Sequence, residues 1–131
     1  MNRIYETGDD TNQITFGVKV GTTGTANTSA VVQGGSQPKK IAESNEDSGS
    51  ISEQSIGNAS DIRNSFLVLR TSLDLSNTDK SLWPGLKNNL VVSYHLNGGL
   101  SGRQVYNHDK DDINTSPDGK TIVVTKAIEL R

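Results

Sequence analysis

The residues of this chain best suited to chemistry form one acidic run, Asn107-His108-Asp109-Lys110-Asp111-Asp112-Ile113-Asn114. Oxygen-bearing side chains at alternate positions suit a hard cation such as calcium, which gathers about six to eight oxygen ligands. Asp109, Asp111 and Asn114 are the candidate ligands. The EF-hand pattern fails: Asn114 stands where its sharp-turn glycine belongs, and no Glu closes the loop. The plain alternative is a hairpin loop kept solvated by its charge. No other metal or cofactor is expected.

His95 and His108 are the only histidines. A nucleophilic triad needs one of them beside an activated Ser and a carboxylate. The Gly-x-Ser-x-Gly elbow that presents such a Ser is missing, and Gly99-Leu100-Ser101-Gly102 is one residue short of it. Gly21-Thr22-Thr23-Gly24 lacks the Lys-Ser/Thr pair and the helix of a phosphate-binding loop. The chain has no cysteine, so thiolate nucleophiles, thiolate metal sites and disulfides are excluded. These marks favour a chain without catalysis.

Binding offers two further candidates. Trp83, within Leu82-Trp83-Pro84-Gly85-Leu86, has the flat face that stacks on a sugar ring or anchors an interface; flanked by two leucines, it equally suits capping the core. The second is a strand edge. Residues 25–33 and 39–43 are polar, weakly apolar strands expected at sheet edges, whose unpaired donors and acceptors take a strand from a partner or from a second copy. Ala30, Val31 and Lys39 mark that interface, and Lys39-Lys40 reads as a charged guard on it.

The elements that must carry these residues follow from period-two alternation. Ile14, Phe16, Val18 and Val20 alternate with polar or small residues, as do Leu67, Leu69, Thr71, Leu73 and Leu75, then Leu90, Val92, Tyr94 and Leu96, then Ile122, Val124, Lys126, Ile128 and Leu130. Weaker strands are expected at 28–33, 39–43 and 103–107. Phe66 and Val68 point away from Leu67 and Leu69, which suggests burial on both faces at that end. Residues 44–61 read as a polar connection pinned by Ile51 and Ile56, and 78–83 as one helical turn stopped before Pro84. Ser116-Pro117-Asp118-Gly119 is a turn.

This pattern predicts an all-β fold, an antiparallel sandwich of about seven or eight strands with long polar loops, forming a single domain over residues 1–131. Leu69, Leu73, Val92, Tyr94, Val124 and Ile128 are its expected core. Leu, Ile, Val and Phe number 10 in residues 1–60 and 21 in residues 61–131, so the second half must supply most of that core.

The net charge of −2 and the scattered basic residues argue against nucleic-acid binding. No apolar run is long enough to span a bilayer, and the start lacks a signal-peptide core, as in a chain kept inside or a mature segment with an added Met. The Gly, Ser, Thr and Asn content suits a module of an exported or cell-surface protein or of a virus particle, with a structural, assembly or ligand-binding role and a protein partner or self-association. The alternatives are a small hydrolase-like enzyme using the loop carboxylates or the histidines, and a calcium-dependent carbohydrate-binding domain.

Overall fold

The computed structural model describes residues 3–8, 10–22, 24–34, 38–44 and 48–131. Thr23 of the glycine-threonine segment and residues 45–47 of the 44–61 connection lie outside the described residues.

Ten strands are described: β1 (Arg3–Tyr5), β2 (Gln13–Gly21), β3 (Thr25–Gln33), β4 (Lys39–Glu43), β5 (Ile51–Asn58), β6 (Phe66–Asp74), β7 (Val91–Asn97), β8 (Gln104–Asn107), β9 (Ile113–Thr115) and β10 (Thr121–Leu130). Two short helices interrupt them, α1 (Ala59–Ile62) and α2 (Trp83–Asn89). No described helix is long and apolar enough to cross a membrane.

The strands form two sheets, giving the expected sandwich. In the larger, β10 pairs along its length with β6, β6 with β3, and β3 with β4, all antiparallel. The other flank of β10 is shared: β9 covers Ile122–Val124, and β1 runs parallel to residues 128–130. In the smaller sheet the order is β5-β2-β7-β8.

Alternation places the core between the sheets. Leu67, Leu69 and Leu73 of β6 and Ile122, Val124, Ile128 and Leu130 of β10 face Ile14, Phe16 and Val18 of β2 and Val92, Tyr94 and Leu96 of β7; all are buried. The six expected core residues are among them. Removing each such side chain from water contributes about 1.5–3 kcal/mol before chain entropy is counted. Thr28 and Thr71 also point inward, and their hydroxyls satisfy one another at 2.8 Å.

Four expectations change. Residues 25–33 are an inner strand, not an edge: β3 is hydrogen-bonded to β6 on one side and β4 on the other. It looked peripheral because its inward residues Ala26, Thr28 and Ala30 are small or polar, yet all three are buried. The polar connection holds β5, an edge strand of which Ile51 alone is fully buried. Pro84 does not stop a helix but stands in the first turn of α2, where its missing N–H has no intrahelical partner to lose. Finally, Phe66 is exposed and Val68 half-buried, so the outer face of β6 is open.

Candidate functional site

Two places gather the residues singled out by the sequence. The first is the end of the sandwich closed by the crossover from β6 to β7. Asp79 accepts from the Ser81 N–H at 3.0 Å and starts a 3-10 turn, Lys80–Leu82, which runs into α2. Trp83 locks this crossover: its indole N–H is shared between the Leu75 carbonyl at 3.1 Å and the Thr78 carbonyl at 3.0 Å. Its polar edge is therefore used within the fold, and Lys80 Nζ stands 5.9 Å from the ring centre.

Because α2 is only seven residues long, it does not seal this end. On one side Trp83, Pro84, Leu75 and Ile122 line a hollow of about 400 Å³, with Lys80 and Lys87 also on its wall. On the other lies a cleft of about 680 Å³ between the β2–β3 turn and α2, lined by Gly21, Gly24, Leu82, Leu86, Asn89 and Val91. Leu82 is 58% and Val91 53% exposed, so apolar side chains stand in water at its wall. No local signal marks this cleft, because neither residue breaks the pattern around it.

The second place is the acidic run. His108 fixes its start by a reciprocal pair with β7: its N–H donates to the Val92 carbonyl at 3.0 Å, and its Nδ1 accepts from the Val92 N–H at 3.1 Å. Asp109 caps a 3-10 turn, Lys110–Asp112, and its N–H donates to Oδ2 of Asp112, the last residue of that turn, at 2.7 Å. Both carboxylates turn toward Lys126, which is only 2% exposed on the inward face of β10. Its Nζ lies 2.9 Å from Asp109 Oδ2 and 2.7 Å from Asp112 Oδ2. Arg3, on β1, adds a forked contact to Asp109 at 3.1 and 3.2 Å.

Lys126 falls in the stretch of β10 between the parts paired with β9 and β1, so its stem lies in the core while its ammonium reaches the loop that closes this side. The hydrogen bond from Lys126, aided by the Lys126 and Arg3 charges, holds the Asp109 carboxyl below the usual carboxylate range. Tyr94 completes the group from the opposite sheet. Its hydroxyl is buried and has no hydrogen-bond partner among the described residues. Burial first, and the Asp112 charge second, push its ionisation well above the ordinary phenol value.

The three proposed calcium ligands have different surroundings. Asp109 is committed to Lys126 and Arg3, whereas Asp111 and Asn114 are exposed. No group of three or more His, Asp or Glu that could hold a metal ion occurs among the described residues.

No protein family, curated protein or solved structure matches this chain.

The remaining candidates are scattered. His95 lies on the outer face of the smaller sheet, its ring filling the space above Gly17. Ala30 is buried and Val31 half-buried in the inner strand β3, so neither offers a free backbone edge; this corrects their assignment to an edge. Lys39 does lie on an edge, exposed on β4, where the neighbouring Lys40 pairs with Glu43 at 2.7 Å. Lys126 was missed. The signal was a lysine between Val124 and Ile128 in an inward-facing run, which calls for a carboxylate partner elsewhere in the chain.

Proposed function

We propose that this chain is a non-catalytic binding module that takes an apolar anchor of a protein partner, or of a second copy, in the cleft between the β2–β3 turn and α2. The observation that carries this reading is the exposure of Leu82 and Val91 at the wall of the 680 Å³ cleft. Apolar side chains that line a concave site and remain in water lower the free energy when a partner covers them. His108 is pinned to β7 and Asp109 and Asp112 are engaged with Lys126 inside the fold, so these groups face one another and not a bound substrate, which supports the same reading. Edge pairing is the weaker route, because β4 carries two lysines and a register irregularity that disfavour it.

Selection of a displayed random-peptide library against the chain tests this. Peptides sharing one or two large apolar anchors are expected, and Leu82→Asp should weaken them at least tenfold while leaving the fold intact. Peptides that bind Leu82→Asp as tightly as the parent, or a selection that enriches nothing, would count against the cleft. Hydrolysis of a chromogenic ester panel, or a calcium-dependent gain in sugar binding, would favour the enzymatic or carbohydrate-binding alternative.

A further inference from the structure

We propose that Lys126 Nζ and the Asp112 carboxyl condense to an amide that ties β10 covalently to the turn leading into β9, with Asp109 relaying the proton.

Three observations meet at this point. The amine is almost wholly buried and lies 2.7 Å from an Asp112 oxygen, held there by the β10 backbone on one side and the 3-10 turn on the other. A second carboxylate, Asp109, touches the same nitrogen at 2.9 Å and is held ionised by the Lys126 hydrogen bond first, with the Lys126 and Arg3 charges adding to it. The Tyr94 hydroxyl, on the opposite sheet, is buried and has no hydrogen-bond partner among the described residues.

The step balances without an external reagent. One proton passes from the Lys126 ammonium to Asp112 across their contact, leaving a neutral amine and a neutral acid. The amine attacks Cγ, whose carbonyl oxygen carries the negative charge until the hydroxyl departs. The nitrogen loses a proton to Asp109, which hands it to the departing hydroxyl. The Nζ–Cγ bond forms, a Cγ–O bond breaks, and one water leaves. Fixed proximity supplies an effective concentration on the order of 10⁵–10⁸ M for well-oriented groups, which offsets the unfavourable condensation of amine and acid in water. Replacing a buried ammonium and its carboxylate by a neutral amide also removes a desolvation penalty.

Intact mass spectrometry of the denatured full chain is the test. The expected mass is one water below that of the sequence, with a single branched peptide joining residues 112 and 126 after digestion. Lys126→Met and Asp109→Ala should restore the full mass. Asp112→Asn should lose ammonia in place of water, a change that a purely structural ion pair cannot produce. The parent chain staying at full mass after prolonged incubation at neutral pH would overturn the proposal. So would a water loss that maps elsewhere, such as to Asp118-Gly119. The parent measurement needs no variant to fold.

Discussion

The imidazole of His95 lies across Gly17, its cross-strand partner between β7 and β2, and fills the space that a side chain at position 17 would take. This buries a glycine in the middle of an otherwise open sheet face and returns packing that a strand glycine lacks. A double-mutant cycle should detect it. His95→Ala alone should cost about 0.2–1 kcal/mol, in the range of cross-strand pairs. In a Gly17→Ala background the ring is already displaced, so the same change should cost almost nothing. Equal losses in the two backgrounds would show that the contact carries no energy.

Leu69 lies between Ala30 and Lys126 in the sheet register and is fully buried. Leu69→Ala should destabilise the chain by about 2–5 kcal/mol, since its neighbours are held by the β6 ladder on both sides and cannot collapse fully into the gap. Urea unfolding measures this, and a loss under roughly 0.5 kcal/mol would mean that the inward face has been misassigned.

While Lys126 carries its free ammonium, acid should weaken the closure at residues 109–112. The Asp109 carboxyl is held below its usual value, chiefly by the Lys126 hydrogen bond. Its contribution is therefore complete above about pH 4, the ordinary Asp value, and is lost as pH falls through the lower folded-state value. Melting temperature should be insensitive to this group between neutrality and about pH 5 and should fall below about pH 4. Asp109→Asn should flatten that acid limb; an unchanged limb would place the sensitivity in other carboxylates.

The lysines of β4 should act as guards. Lys39 and Lys40 are exposed on the edge of the larger sheet. Replacing both with Thr should leave the fold intact and raise concentration-dependent association in sedimentation velocity, because the edge then offers its backbone groups without a charge penalty. A variant as monodisperse as the parent would show that the edge is protected by shape alone.

The long strands were legible because one face of each is apolar: Leu69, Leu73, Val92, Tyr94, Val124 and Ile128 were all placed in the core correctly. What stayed hidden lacks that contrast. β5, with the sequence Ile-Ser-Glu-Gln-Ser-Ile-Gly-Asn, is held by backbone pairing to β2 and by contacts such as Thr15 Oγ1 to Glu53 at 2.7 Å, so nothing in its hydropathy announces a strand. β3 passed for an edge because it faces the core with alanines and a threonine. In the acidic run the spacing of Asp109 and Asp111 was visible, but the partners of Asp109 were not: Lys126 and Arg3 arrive through the pairing of β10 with β9 and β1, which no local pattern encodes. The cleft beside α2 is likewise a product of packing, formed where a short helix meets the β2–β3 turn.

The claim that the cleft is the binding surface is tested most directly by amide-resolved NMR of the labelled chain as an apolar-anchored peptide ligand is added. Shifts should concentrate at Gly21, Gly24, Leu82, Leu86 and Val91, the residues that line the cleft. The amides of Lys39–Glu43 and of Asp109–Asp112 should stay unmoved. Shifts that trace β4 or the 109–112 turn, with the cleft silent, would place the binding surface there and not in the cleft.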